Sequence, residues 1–225
     1  MTQTSYKFFS LPTVTIEIER PDPVLVMRAA DLSTATLHEA GGQIGVLPPQ
    51  IKPVDPSFMI CGPAVTVHSP PGDNLWLHRA IVAAKPGDVL VVSVDGVYEH
   101  GYWGEIMSTA ARARGLGGLV IDGCVRDGAI LERVGFPVFA RGLCIRGTGK
   151  SFTARGWINS PVLLGDVTVN AGDLVVGDTD GVVVIPRANV EATLDASDKR
   201  EQKEADIMRK LREGETTIDL YAWDR

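Results

Sequence analysis

Nearly continuous runs of Val, Leu, Ile and Ala recur along this chain, and glycine-rich turns separate them. Runs in which apolar and polar residues do not alternate are typical of strands that a sheet buries on both faces. The runs are Ala64–Val67, Val89–Val94, Gly118–Ile121, Pro137–Ala140, Val162–Leu164, Leu174–Val176 and Val182–Ile185. Strands of this kind need helices to cover them, so the pattern predicts an α/β domain with a mixed sheet covered by helices.

Helical stretches are predicted between the first four of these strands. Asp73–Ala84 opens with an Asp-Asn pair that suits a helix N-terminus. Trp103–Arg114 and Asp127–Val134 each end just before a glycine, which suits a helix C-terminus. The first two-thirds of the chain therefore alternate strand and helix, whereas the last third is rich in strands.

The two ends of the chain differ from this central part. Residues 1–23 contain three prolines and are predicted to form an N-terminal arm, ahead of an α/β domain over residues 24–187. Residues 188–225 form a C-terminal helix and tail, in which Ala188–Arg212 is one long polar helix. A helix with few apolar positions packs poorly on its own core, so we expect this helix to pack on a neighbouring subunit or to lie in solvent.

Charge and composition exclude several classes of protein. The 22 basic and 28 acidic side chains give a net charge of −6 at pH 7, whereas proteins that bind nucleic acid or anionic membranes carry a surplus of Lys and Arg. No apolar run reaches the roughly 18 residues that a membrane span needs. The three cysteines lie far apart and no basic and apolar leader opens the chain, so we expect a protein of the reducing cytoplasm.

Two features resemble binding motifs without meeting their requirements. The segment Gly147–Ser151 reads GTGKS, but a phosphate-binding loop needs a glycine where Cys144 stands, and no strand-to-helix context surrounds the segment. None of the four histidines shows a zinc-binding spacing. His78 lies in the middle of a predicted helix, where we expect its side chain to be satisfied locally or to face solvent.

One stretch of the chain carries residues that suit catalysis. Gly104 and Glu105 follow a glycine-rich turn and open a helix, whose free N–H groups and positive dipole end favour a small carboxylate. The next strand delivers Asp122, Arg126 and Asp127 to the edge of the sheet at which α/β proteins bind ligands. A divalent cation beside a bound oxo-acid would suit this set. An Arg-Asp pair can also be a helix cap with a surface ion pair, and spacing alone leaves both interpretations open.

The spacing of these residues resembles a known signature. Glu105, then twenty residues, then Arg126 and Asp127 is similar to the pattern of the RraA-like family. Further segments follow the family's order: His38-Glu-Ala-Gly-Gly, Pro70-Pro-Gly-Asp-Asn, Pro86-Gly-Asp-Val-Leu-Val-Val, Gly135-Phe-Pro-Val-Phe, Gly147-Thr-Gly-Lys, Gly172-Asp-Leu-Val-Val-Gly-Asp and Asp180-Gly-Val-Val-Val-Ile-Pro. The resemblance runs from about residue 31 to residue 212. It is strongest to the 4-hydroxy-4-methyl-2-oxoglutarate / 4-carboxy-4-hydroxy-2-oxoadipate aldolases, which are divalent-metal pyruvate aldolases.

The resemblance implies a compact swivelling β/α/β-type domain that assembles as a homotrimer or homohexamer, with active sites between subunits. In such a site Asp127 would ligate Mg²⁺ or Mn²⁺, and Arg126 would hydrogen-bond the 2-oxo oxygen of the substrate. Glu105 would orient a water that moves a proton, and Lys150 would bind the distal carboxylate of the substrate.

Two further contributions are implied by the same resemblance. The pyruvyl carboxylate of the substrate would be held by the backbone N–H groups of Gly104, Glu105, Ile106 and Met107. A glutamate of the C-terminal helix would reach into the neighbouring subunit's site. Glu204 is the residue that we assign to this role, with Glu201 as the alternative.

The implied reaction cleaves a 4-hydroxy-2-oxo acid to pyruvate and a second oxo acid through a metal-bound pyruvate enolate. Oxaloacetate decarboxylation would follow the same chemistry. Two residues depart from the aldolase pattern, because Gln43 replaces an Arg and Glu105 replaces a shorter Asp. We expect the first to change recognition of the substrate's far end and the second to change the arrangement of water.

Two alternatives stand beside this hypothesis. The first is a non-catalytic, protein-binding regulator of ribonuclease E, since the namesake of the family inhibits that enzyme by contact. The second is a Schiff-base aldolase that uses Lys52, Lys85 or Lys150. A catalytic amine needs burial or a cationic neighbour to lower its pKa, and Arg146 gives Lys150 only weak support in the sequence.

Overall fold

The predicted alternation of strands and helices forms a mixed sheet of eight strands flanked by helices. A computed structural model describes residues 6–224 of the chain, so the first five residues of the predicted arm and Arg225 of the predicted tail lie outside the described residues. The helices are α1 (Pro23–Ala29), α2 (Thr34–Ala40), α3 (Leu75–Ala83), α4 (Glu105–Ala113), α5 (Gly128–Val134), α6 (Val190–Arg212) and α7 (Thr217–Tyr221). The fold class predicted from the sequence is confirmed.

The strands are short, and the longest of them has nine residues. They are β1 (Lys52–Pro53), β2 (Ile60–His68), β3 (Val89–Ser93), β4 (Gly118–Ile121), β5 (Cys124–Val125), β6 (Val138–Ala140), β7 (Gly142–Leu143), β8 (Trp157–Ile158), β9 (Val162–Leu164), β10 (Val167–Val169), β11 (Leu174–Asp178) and β12 (Gly181–Ile185). The main sheet has the order β1-β6-β4-β3-β2-β11-β12, and β8 pairs with β2. Within the sheet, β2, β3, β4 and β6 run parallel.

The parallel strands are buried on both faces, as their unbroken apolar runs predict. Every residue of Val89–Val92 and of Leu119–Ile121 is inaccessible to solvent. The helices α3, α4 and α5 connect these strands in chain order, which brings the loops after β2, β3 and β4 to one edge of the sheet. These loops carry the residues of the candidate site.

The long polar helix α6 packs on its own chain over its first half, which corrects the expectation that it leaves its own core. Val190, Thr193, Leu194 and Ser197 are buried, and Val190 and Leu194 belong to a second apolar cluster that includes residues of α1, α2, β11 and β12. Apolar residues at the start of the helix supply this contact, and the charged second half is exposed. The second half remains available to a neighbouring subunit. Within residues 6–224, no helix is both long and apolar enough to cross a bilayer.

The described part of the predicted arm lies against the domain. Arg20 donates two hydrogen bonds, of 2.8 and 2.7 Å, to the buried carboxylate of Asp88. Val14 forms a parallel bridge with Ile158 of β8. Helix α1 begins at Pro23, where the fixed φ of proline suits the first helical position, so the predicted boundary after residue 23 falls inside a helix.

Candidate active site

A cleft of about 330 Å³ lies where the loops after β2, β3 and β4 meet. Its walls come from four segments of chain. The lining residues are Asn74, His78, Gly101, Tyr102, Trp103, Gly104, Glu105, Ile106, Met107, Arg126, Asp127, Gly147, Thr148 and Lys150. Ligand sites of α/β sheets gather at the carboxyl ends of parallel strands, and this cleft has that position.

Asp127 is held in an unusual backbone conformation at the N-cap position of α5. Its φ of 63° lies in the left-handed region, which is uncommon for a residue other than glycine. The carboxylate oxygen Oδ2 accepts a 3.0 Å hydrogen bond from the backbone N–H of Glu105 and lies 3.9 Å from Nε of Arg126. This contact joins the start of α5 to the start of α4, so the carboxylate is fixed at the junction of two helices.

Two glycines make the close approach of these loops sterically feasible. A Cβ atom added to Gly104 would lie 2.4 Å from Oδ2 of Asp127 and 3.1 Å from Cγ of Arg126. A Cβ atom added to Gly101 would lie 2.5 Å from the carbonyl oxygen of Cys144 and 3.1 Å from Cβ and Cδ of Arg126. The glycine-rich turn of the sequence is therefore explained by close packing against the Arg-Asp pair.

The N-terminus of α4 faces the cleft with unused N–H groups. The N–H of Glu105 is already donated to Asp127, and the N–H of Ser108 is donated to the carbonyl of Gly104. The N–H groups of Gly104, Ile106 and Met107 find no acceptor among residues 6–224. Together with the helix dipole these groups suit a small carboxylate, and they are three of the four N–H groups that the resemblance implied.

Lys150 and His78 form part of the wall that does not carry the Arg-Asp pair. Burial, and secondarily the charge of Lys150, lower the pKa of His78 below its ordinary value, so the imidazole is neutral at pH 7. The sequence did not assign His78 to the site, but the side chain is half-buried and lines the cleft.

The segment Gly147–Ser151 reaches the cleft without being a phosphate-binding loop. The two-residue strand β8 follows it, so the helix that such a loop requires is missing from this part of the chain. The N–H of Ser151 donates to Oδ2 of Asp73, and Gly149 forms a bridge with the same aspartate's backbone. These contacts hold Lys150 at the cleft.

Asp122 does not join Arg126 and Asp127 in one crevice, which corrects the prediction from the sequence. Its buried carboxylate lies 2.5 Å from Nε of Arg141, in a separate cavity that also contains His68. Strand β5 intervenes between Asp122 and Arg126, and Arg141 is held over the ring of Tyr98 at 3.9 Å. Asp122, the first of the two acids that were predicted for the site, therefore forms an internal ion pair with Arg141.

The remaining sequence candidates lie elsewhere on the chain. Glu204 is on the exposed half of α6, where Oε1 lies 2.7 Å from Nε of Arg200, and it does not line the cleft of its own chain. Lys52 bonds to the carbonyl of Asp180, and Nζ of Lys85 lies 3.0 Å from Glu17. Both lysines are exposed, so neither has the burial that a Schiff-base amine needs.

The oxygen ligands that the cleft offers to a metal fit a hard divalent cation that keeps most of its water. Among residues 6–224, no three His, Cys, Asp or Glu side chains come close enough to hold a metal ion by themselves. Mg²⁺ commonly binds through one or two carboxylates while retaining several waters. Asp127 meets this need, because only Oδ2 accepts a hydrogen bond from the described residues and Oδ1 stays available.

Asn74 and Tyr102 line the cleft, although reasoning from the sequence did not assign them to it. Asn74 was assigned only as part of a helix cap, but Oδ1 of Asp73 makes the capping bond to the N–H of Leu75. The side chain of Asn74 is thereby left to face the cleft. The segment Pro70-Pro-Gly-Asp-Asn, which follows the family's order, was the signal for Asn74, and the glycine-rich turn before Glu105 was the signal for Tyr102.

Comparison with known proteins adds a family assignment. The sequence model of the family described as RraA-like, Aldolase/RraA, matches residues 15–184, which is more than half of the chain. The chain belongs to the RraA-like family. The Arg-Asp pair and the helix that opens at Glu105 both lie inside the matched region.

Relatives with known names point in two directions. A Halalkalibacterium halodurans protein, provisionally named 4-hydroxy-4-methyl-2-oxoglutarate aldolase, is 34% identical over 84% of this chain and 90% of its own length. A Pseudomonas syringae crystal structure of an uncharacterized protein has a TM-score of 0.78 at 30% identity, covering 92% of this chain and 96% of that one. Streptomyces coelicolor RraAS2 is described as an unusual member of the RNase ES inhibitor RraA protein family. It has a TM-score of 0.72 at 30% identity, covering 84% of this chain and 100% of that one.

Proposed function

We propose that this RraA-like protein is a divalent-metal-dependent pyruvate aldolase. Its substrate would be a 4-hydroxy-2-oxo acid, such as 4-hydroxy-4-methyl-2-oxoglutarate or 4-carboxy-4-hydroxy-2-oxoadipate, and its products would be pyruvate and a second oxo acid. One observation carries the proposal: Arg126, Asp127 and the unused N–H groups at the start of α4 line the same cleft. The name of the Halalkalibacterium relative supports the same class of reaction.

Each end of the substrate has a matching group in the cleft. The unused N–H groups of Gly104, Ile106 and Met107 would bind the pyruvyl carboxylate at the positive end of the α4 dipole. The guanidinium of Arg126 would donate to the 2-oxo oxygen. Lys150 would bind a carboxylate at the distal end, since its ammonium faces the cleft from another wall.

The reaction breaks the C3–C4 bond of the substrate. The 4-hydroxyl loses its proton and becomes the carbonyl of the second product, while the electron pair of the broken bond forms the enolate of pyruvate. Negative charge then grows on the 2-oxo oxygen, where Arg126 would stabilise it. Protonation at C3 completes pyruvate, and Glu105 would orient the water that moves these protons.

Mg²⁺ or Mn²⁺ held by Asp127 would polarise the 2-oxo group and the carboxylate of the substrate. Oxaloacetate decarboxylation would use the same groups, because loss of CO₂ from oxaloacetate leaves the same pyruvate enolate. We propose this as a second activity of the site.

The active form would be a homotrimer or homohexamer in the cytoplasm, with the cleft completed at a subunit interface. The exposed second half of α6 is the element free to extend to another subunit. Glu204, or Glu201 in its place, would then approach the neighbouring cleft. This assignment rests on the family resemblance.

A non-catalytic role as a protein-binding regulator is the second candidate, and the likeness to Streptomyces RraAS2 favours it. That role needs a surface and not a set of convergent polar groups. A Cβ atom at position 101 or 104 would clash with the loops that place Arg126 and Asp127 at the cleft. The two glycines therefore allow the Arg-Asp pair to lie there, and chemistry in the cleft explains this better than a protein-binding surface does.

Pyruvate formation tests the proposal directly. The purified protein is incubated with 4-hydroxy-4-methyl-2-oxoglutarate or oxaloacetate, with Mg²⁺ or with EDTA, and pyruvate is followed with a lactate dehydrogenase couple. We expect pyruvate from both substrates with Mg²⁺ and none above background with EDTA. A folded, metal-supplied protein that forms no pyruvate from either substrate would favour the regulator.

A further inference from the structure

An unpartnered acceptor is buried at the wall of the cleft. Oδ1 of Asn74 accepts no hydrogen bond from residues 6–224, although the residue is only 6% exposed. Buried polar atoms are almost always paired, because an unmade bond costs the full desolvation of the atom. Asn74 lines the cleft, so the missing partner is expected to be a group that the cleft binds.

The orientation of the amide follows from its neighbours. Nδ2 of Asn74 donates a 2.9 Å hydrogen bond to the carbonyl oxygen of Tyr102 and lies 3.5 Å from Sδ of Met107. A carbonyl oxygen can only accept, so the nitrogen must be on that side of the amide. The unpartnered atom is therefore the oxygen, and it needs a donor.

The proposed substrate class contains one such donor. At pH 7 a 4-hydroxy-2-oxo acid carries ionised carboxylates and a keto group, all of which only accept hydrogen bonds. Its hydroxyl is the single hydrogen-bond donor. The carboxylates and the keto oxygen match Lys150, Arg126 and the start of α4, and none of these protein groups can accept a bond from the hydroxyl.

We propose that Oδ1 of Asn74 accepts a hydrogen bond from the 4-hydroxyl of the substrate, which makes Asn74 the residue that distinguishes hydroxylated from non-hydroxylated oxo-acids. This inference rests on the proposed aldolase function and deepens it. Oδ1 is shielded from water in the ligand-free cleft, so the side chain must turn slightly toward the substrate. The turn pivots on the hydrogen bond from Nδ2 to the Tyr102 carbonyl and gives up only the 3.5 Å contact with Met107.

The two substrates of the site provide the test, because oxaloacetate has no hydroxyl. For Asn74→Ala we expect the ratio of kcat/KM for 4-hydroxy-4-methyl-2-oxoglutarate to kcat/KM for oxaloacetate to fall about tenfold, as for the loss of a neutral hydrogen bond to the hydroxyl. Activity toward oxaloacetate also shows that the variant is folded. Equal losses with both substrates would overturn the inference, because they are expected if Oδ1 binds only water or if Asn74 only supports the fold. No loss with either substrate would overturn it as well.

A second variant keeps the test decisive if Asn74→Ala does not fold. Asn74→Asp retains an oxygen at Oδ1 in a side chain of the same shape but adds a charge beside an anionic substrate. Both rates should fall, and their ratio should stay near that of the wild type. A fall in the hydroxy acid rate alone would contradict the proposal. A wild-type protein that releases pyruvate from neither substrate would instead overturn the aldolase function itself, before Asn74 is varied.

Discussion

Arg126→Ala is expected to lower kcat/KM for pyruvate release by about three orders of magnitude while the protein stays folded. Loss of one donor that stabilises developing negative charge costs about 10²–10³-fold in other enzymes. Arg126 lies 3.9 Å from its nearest ion-pair partner and its side chain is 47% exposed, so its removal leaves no buried charge unpaired. The measurement is the coupled pyruvate assay, with circular dichroism and urea unfolding as the test of folding.

Arg133 provides a matched control for this variant. It is an exposed arginine in the last turn of α5, the helix that Asp127 opens, and it does not line the cleft. Arg133→Ala removes the same charge and is expected to leave the rate within about twofold. Equal rates in Arg126→Ala and the wild type would show that the guanidinium does not take part in the reaction.

Gly104→Ala is expected to reduce activity about a hundredfold, although it adds only a methyl group. The new Cβ would lie 2.4 Å from Oδ2 of Asp127, so the carboxylate, the start of α4 or both must shift. Shifts of about 1 Å in a catalytic group can cost about a hundredfold in rate. The backbone at Gly104 is extended, with a φ of −169°, so alanine adds no backbone strain and the effect isolates the steric clash.

Gly147 is the matched control for Gly104. It also lines the cleft, but a Cβ atom added there meets no atom within 4 Å. Gly147→Ala is expected to retain wild-type activity within about threefold. If both alanine variants lose activity equally, the close approach of Gly104 to Asp127 is not the reason for the glycine. A crystal structure or a Mg²⁺ titration of Gly104→Ala would locate the shift.

The sheet could be predicted from the sequence because its strands are buried on both faces. A run such as Val89–Val92 has no polar residue that could face solvent, and its neighbours in the sheet have the same composition. The helices α3, α4 and α5 were visible from their terminal residues. Helix α1 was not, because Pro23 was taken as part of an arm when it is the first residue of a helix capped by Asp22.

The Arg-Asp pair, the start of α4 and Lys150 were predicted to lie at one site and all line the cleft, whereas the α3 side of the cleft was not predicted. Arg126 and Asp127 are adjacent in the chain and follow a strand, so their position depends on local structure alone. His78 and Asn74 face the cleft only because α3 packs beside α4, which is a tertiary contact without a local signal. Asp122 was misassigned for the same reason, since its partner Arg141 is nineteen residues away in sequence.

The most direct test of the account is the Mg²⁺ dependence of pyruvate release from 4-hydroxy-4-methyl-2-oxoglutarate, compared between the wild type and Asp127→Ala. We expect wild-type activity to rise with Mg²⁺ to saturation, and Asp127→Ala to stay at the EDTA background at every Mg²⁺ concentration while remaining folded. Wild-type rates in Asp127→Ala, or pyruvate release that EDTA does not affect, would contradict the assignment of this cleft as a metal-dependent aldolase site.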